Sequence, residues 1–110
     1  MSKPSSVYKR NNPLRNMISK SKEYSGICLV KNASGIHVRP AGVIVRLFEE
    51  EDCEVRFTYA GKTVNARSIM SILMLGAPQG GKIFVSVKGN NALCVLEKLQ
   101  TAFETGFGEL

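Results

Sequence analysis

A chain of 110 residues, 44% of them hydrophobic, is long enough for one small domain with a modest core. Its most apolar run, Ile69 to Leu75, is broken by Ser71 and is far too short to span a bilayer, and nothing near the start resembles a secretory segment, so no membrane insertion is expected. The net charge of +6 is unevenly placed: residues 1–24 hold six Lys or Arg against one Glu, and residues 25–110 hold nine against eight acids, so the folded part is nearly neutral, unlike a nucleic-acid binder.

Residues 1–24 are rich in Ser, Asn and Lys, contain Pro4 and Pro13, and show no sustained periodicity, which predicts a disordered basic extension. Two other readings stay open for it: an organelle transit peptide, against which its low Arg content and lack of an amphipathic face speak, and a translation start at Met17. A short β-like run follows at Ile27 to Lys31, then a loop, Asn32-Ala33-Ser34-Gly35, with Ser34 and Gly35 as turn formers. A helix is predicted from about Val38 to Glu49, because Ile44, Leu47 and Phe48 recur at three-and-four spacing beside Ala41 and Val45. Pro40 falls in its first turn, where a missing N–H removes no intrahelical bond. The acids Glu49-Glu50-Glu51-Asp52 would oppose the helix dipole, so the helix should end early and the cluster form a solvated loop.

Glu54 to Tyr59 alternates, with Val55, Phe57 and Tyr59 on one face, and Ala60-Gly61 turns it back into Lys62 to Asn65 as a hairpin. Ser68 is a good N-cap for a short helix from Ile69 to Leu75, and Gly76 a natural stop. Ile83, Val85 and Val87 alternate in a further strand, and Gly89-Asn90-Asn91 turns into a last helix from Ala92 to about Thr105, with Ala92, Leu96, Leu99 and Phe103 on one face. The order β-α-β-β-α-β-α predicts an α+β open-faced sandwich: a four-stranded antiparallel sheet covered on one side by three helices. Cys28, Cys53 and Cys94 are odd in number and widely spaced, and one His cannot complete a metal set with them, so reduced thiols, no metal and no cofactor are expected.

Two places carry chemistry. His37, the only histidine, stands where the first long helix begins, in Gly35-Ile36-His37-Val38-Arg39-Pro40-Ala41. The backbone N–H groups of Val38 and Arg39 would lack helical partners there, and Arg39 adds a mobile positive charge, so a phosphoryl group on the imidazole would find donors, the helix dipole and a guanidinium around it. A capping or surface histidine is the plainer reading of the ring taken alone. Ser68 is either a simple N-cap or a phosphorylation site, since phosphate is tolerated at a helix N-terminus. Ile69, Met70 and Leu73 after it cannot all be buried in so short a helix and suggest a docking surface, whereas Ile72 and Leu75 suit the core.

These segments resemble the HPr family, the histidine-containing phosphocarriers of the phosphoenolpyruvate:sugar phosphotransferase system. The likeness runs from about Tyr24 to the C-terminus, defining an HPr-like domain over 25–110. Ser34-Gly35-Ile36-His37-Val38-Arg39-Pro40-Ala41 resembles the active-site signature, and Gly61-Lys62-Thr63-Val64-Asn65-Ala66-Arg67-Ser68-Ile69-Met70 the regulatory-serine signature. The resemblance implies that His37 is phosphorylated on Nδ1, that Arg39 assists transfer, and that Ser68 is the target of an ATP-dependent HPr kinase/phosphorylase. It further implies that Ile69, Met70 and Leu73 dock enzyme I and enzyme IIA-type domains, while the reading of all three cysteines as reduced thiols implies a cytoplasmic setting. Two departures stand out: the basic extension, and Val38 where small or polar residues are common.

Three functions compete. A phosphocarrier would take a phosphoryl group from phosphoenzyme I on His37 and pass it to an enzyme IIA-type domain; it would be a partner of phosphotransferases and not a free-standing enzyme. A mainly regulatory docking protein would act through Ser68 phosphorylation without a complete sugar-transport chain, but could dispense with His37 and Arg39. An RNA-binding module shares part of the element order, but needs stacking aromatics on the open sheet face, and its candidates Phe57 and Tyr59 pattern as core.

Overall fold

The computed structural model describes residues 22–110, so the predicted extension lies, but for its last three residues, outside the described residues. Strands β1 (Glu23–Leu29), β2 (Cys53–Tyr59), β3 (Lys62–Asn65) and β4 (Lys82–Gly89) form one antiparallel sheet in the order β1-β4-β2-β3. Helices α1 (Val38–Leu47), α2 (Ile69–Met74) and α3 (Ala92–Glu104) are the three helical elements expected, and a 3-10 turn at Gly106–Gly108 closes the chain.

The sheet's covered face is built by alternation. Val55 and Phe57 of β2 and Ile83, Val85 and Val87 of β4 are fully buried, and they meet Ile44 and Phe48 of the α1 segment, Ile72 of α2 and Val95, Leu99 and Phe103 of α3. Phe57 meets Phe103 edge-on at 5.9 Å between ring centroids, and Phe103 meets Phe107 in the same way at 4.9 Å. Such edge-to-face pairs add specificity to the area they bury. Phe57 is thus inside the core and Tyr59 packs against it, so neither forms a stacking platform on the open face.

Three regions depart most from expectation, each for a local reason. Strand β1 begins at Glu23, four residues early, and ends at Leu29. Its inward positions are Tyr24, Gly26 and Cys28, and the missing side chain at Gly26 hides the alternation. That slot is taken by α3: a Cβ on Gly26 would lie 3.0 Å from Gln100 Nε2. Helix α1 stops at Leu47, where Phe48 leaves helical geometry (φ −134°, ψ 21°). Of the acids beyond it, Glu51 is half-buried and accepts a 2.9 Å hydrogen bond from Asn91 Nδ2. At the C-terminus, Phe107 adopts φ 56°, a conformation a bulky residue rarely takes, and its burial against Phe103 holds it there. The turn carries the last residues back over the start of α1.

Among the described residues no helix is long and apolar enough to cross a membrane, and no cluster of His, Cys, Asp and Glu could hold a metal ion. The three thiols are free.

Candidate functional site

His37 is the N-cap of α1, in extended geometry (φ −104°, ψ −163°), and its carbonyl accepts the first helical hydrogen bond from Ala41 N–H at 3.0 Å. Its side chain makes no capping bond to the helix end it starts. The loop before it is held from two sides. Gly35 N–H donates to Asn32 O at 3.1 Å, and Ile36 N–H donates to Ala77 O, just past α2, at 3.0 Å. Gly35 has φ 71°, and a Cβ there would come within 2.6 Å of Ala77 O, so the close approach of these two loops requires glycine.

The ring is engaged through Nε2 alone among the described residues. Nε2 lies 3.0 Å from Oε2 and 3.2 Å from Oε1 of Glu109, a residue 72 positions away in the chain. The Arg39 guanidinium is 76% exposed and only grazes the same carboxylate, Nε to Oε2 being 4.0 Å. Asn32 completes the group. Its side chain is buried, and its Nδ2 donates to Gly35 O at 2.6 Å and to Glu109 Oε1 at 2.9 Å. Partial burial works against charge on Glu109, but the hydrogen bonds from Asn32 and His37 and the electrostatic pull of the His37 and Arg39 side chains outweigh it and hold the carboxyl below its ordinary value. The N–H groups of Val38 and Arg39 meet no carbonyl among the described residues, and Pro40 has none to satisfy. The half-exposed imidazole thus has no contact through Nδ1 among the described residues, and it stands at a helix start with two open donors and an exposed guanidinium two residues on.

Ser68 is the N-cap of α2, and its Oγ accepts a hydrogen bond from Ser71 N–H at 3.2 Å. Helix α2 packs against α1, so the two sites stand on neighbouring helices.

Comparison with known proteins gives the family. The family model described as "PTS HPr component phosphorylation site" matches residues 25–105. The chain belongs to the HPr family. It is 59% identical over 107 residues to the phosphocarrier protein HPr of Chlamydia pneumoniae, covering 91% of this chain and 99% of that one. It is 62% identical over 88 residues to the phosphocarrier protein HPr of Chlamydia muridarum, covering 80% and 85%. Among solved structures it is similar to an HPr from Thermoanaerobacter tengcongensis, with a TM-score of 0.75, 31% identity and coverage of 79% of this chain and 98% of that one.

On this HPr fold the residues singled out from the sequence fall into two groups. His37, Val38 and Arg39 converge on one helix start, with Val38's side chain exposed. Ser68, Ile69, Met70 and Leu73 lie on α2, where Ile69 and Met70 are exposed, Leu73 is half-buried against the core, and Ile72 and Leu75 are buried. Sequence reasoning missed three residues. Met74, 68% exposed, extends the apolar patch and was hidden by the uniform apolarity of Ile72 to Leu75. Asn32 reads only as a loop former, and Glu109 as part of a tail. The Gly-Phe-Gly run at 106–108 was the available signal, an aromatic between two turn formers that draws the tail back to the core.

Proposed function

We propose that this HPr-family chain is a phosphocarrier that accepts a phosphoryl group from phosphoenzyme I on Nδ1 of His37 and passes it to enzyme IIA-type domains in the cytoplasm. The observation that carries the reading is the arrangement of the ring: Nε2 is occupied by Glu109, which leaves Nδ1 as the nitrogen facing reaction, at a helix start with the open N–H groups of Val38 and Arg39. Catalysis of this kind is positioning plus electrostatics, since the phosphoryl group asks for charge stabilisation more than for covalent help. Arg39, held by its weak 4.0 Å contact, is free to leave Glu109 for the incoming phosphoryl oxygens. Ile69, Met70 and Leu73, with Met74, offer an apolar surface for both partners, and phosphorylation of Ser68 by an HPr kinase/phosphorylase would place charge at its edge. A mainly regulatory role through Ser68 would leave the His37–Glu109–Arg39 group without a task, which favours the carrier.

The test is incubation with phosphoenolpyruvate and enzyme I, scored for acid-labile phosphate. Wild type should label, His37→Ala should not, and Ser68→Ala still should. Label retained by His37→Ala would overturn the assignment.

A further inference from the structure

The two edges of the sheet are built differently. An edge strand offers unpaired N–H and C=O groups to any chain that can lie beside it, and proteins usually shorten, charge or cover such edges. Strand β3 follows that rule: it has four residues, of which Lys62, Thr63 and Asn65 are polar and exposed. Strand β1 does not. It runs for seven residues without proline and pairs only with β4 among the described residues. Ile27 in its middle is 67% exposed, and Leu29 is exposed too.

The backbone of β1 divides by parity. At its two ends Lys22 O accepts from Gly89 N–H at 3.0 Å, and Val30 N–H donates to Gly81 O at 2.9 Å. In the antiparallel register that sets Glu23 across from Lys88 and Leu29 across from Lys82, even-numbered residues therefore turn their N–H and C=O toward β4. Glu23, Ser25, Ile27 and Leu29 turn theirs outward, to the free edge. Their side chains lie on the sheet face away from the helices, where Ile27 stands across from exposed Phe84 of β4. An apolar pair thus sits beside a row of open backbone donors and acceptors.

We propose that the β1 edge is an interface for a second copy of this chain, paired antiparallel about a two-fold axis at Ile27, which joins the two sheets into one. A two-fold interface must be complementary to itself. This edge has an acid at one end, Glu23, a cation just past the other, Lys31, and the apolar Ile27 midway between them. Only the outward residues can hydrogen-bond across the join, so the possible registers differ by steps of two. The register centred on Ile27 sets Ser25 opposite the second copy's Leu29, and Glu23 opposite its Lys31. Both charged side chains are exposed, and neither makes an ion pair among the described residues. A shift of one step either way sets Glu23 opposite Leu29 or Ala33 and loses the ion pairs at both ends. With Ile27 opposite itself, Phe84, Ile27 and their counterparts form one apolar row across the join. The helices cover the other face of the sheet and need not move. One strand pair is small beside a permanent dimer interface, so association should depend on concentration.

The test is sedimentation equilibrium of the full, unphosphorylated chain from micromolar to millimolar concentration. The mass should rise from the 12.0 kDa monomer toward twice that value. Amide exchange at Ser25, Ile27 and Leu29 should slow as it does. Ile27→Lys puts two ammonium groups face to face at the axis and should stay monomeric. Its fold should hold, because the replaced side chain is exposed. Glu23→Lys and Lys31→Glu each set like charges opposite one another at both ends, and each should raise the dissociation constant about tenfold. Mixed together, these two variants should associate with each other as well as wild type does with itself, since every Lys then meets a Glu. A chain that stays monomeric at every concentration overturns the proposal, as does a dimer that Ile27→Lys leaves intact. A mixture that associates no better than its components overturns this pairing and favours another occupant or an exchanged strand. The interface needs no phosphoryl chemistry, so it stands or falls apart from the carrier reading.

Discussion

At Glu109 two effects oppose each other, and their balance sets a pH signature. Burial under the C-terminal turn disfavours the charged carboxylate, while Asn32, His37 and Arg39 favour it more, so its folded-state value lies below the ordinary 4.5. A carboxyl with a lowered value in the folded state adds stability that is present above the unfolded value and lost as pH falls through the folded one. Glu109→Gln removes the charge but keeps the shape. The melting temperature of wild type should therefore exceed that of Glu109→Gln at neutral pH, and the gap should close as acid carries Glu109 below its lowered value. Thermal melts of both proteins across the acid range check this. A gap that widens on acidification would mean that burial, not the hydrogen bonds, dominates at this carboxyl. The residue could not be singled out from sequence, because its partners Asn32 and His37 are 77 and 72 positions away and only the folded chain brings them together.

Helix α2 is six residues long, too short to be stable by itself, so it depends on its cap and on the burial of Ile72. The Ser68 hydroxyl that accepts from Ser71 N–H is part of that support, and Ser68→Ala should cost about 1 kcal/mol of stability in denaturant melts. Ser68→Asp can keep the cap, so its effect should separate from stability: an unaltered melt with slower labelling by enzyme I, the charge falling beside exposed Ile69 and Met70. Equal labelling rates for Ser68→Asp and wild type would disconnect this serine from the docking surface. The cap and the burial of Ile72 and Leu75 were legible because capping and helical spacing are local rules. The same holds for β2, β4 and α3, whose periodicities are unbroken, and for β3, which the Ala60-Gly61 turn announces. Strand β1 was misplaced because Gly26 erases one beat of the alternation, and the exposure of Met74 was invisible because Leu73, Met74 and Leu75 are all apolar yet lie on different faces of one turn.

Across the whole molecule the three cysteines sample three depths and so report on how the domain opens. Cys28 is buried in β1 under α3, and burial, with the nearby Glu104 charge, pushes its thiol up to about 11. Cys53 at the start of β2 is half-buried; burial raises it too, the nearby acids adding to this and Arg67 partly offsetting it. Cys94 lies exposed on α3. Only the thiolate reacts, so access and ionisation act in the same direction here. With a thiol reagent at neutral pH, Cys94 should be modified first and Cys53 later. Cys28 should react only through opening of the sheet–helix core, at a rate that follows the population of the unfolded state. Added denaturant below the melting midpoint should accelerate Cys28 steeply and leave Cys94 almost unchanged. Because the raised Cys28 value makes the folded state hold its proton more tightly than the unfolded state, this thiol's contribution to stability is full below its ordinary value of 9.0 and is lost as pH rises toward about 11. Alkaline solution should therefore speed Cys28 modification more than ionisation of a free thiol accounts for, and Cys28→Ser should remove the excess loss of stability. Peptide mapping of the modified protein reads all three sites at once. Modification of Cys28 as fast as Cys94 in the absence of denaturant would show that β1 and α3 separate without unfolding the rest, and the single cooperative core described here would have to be divided.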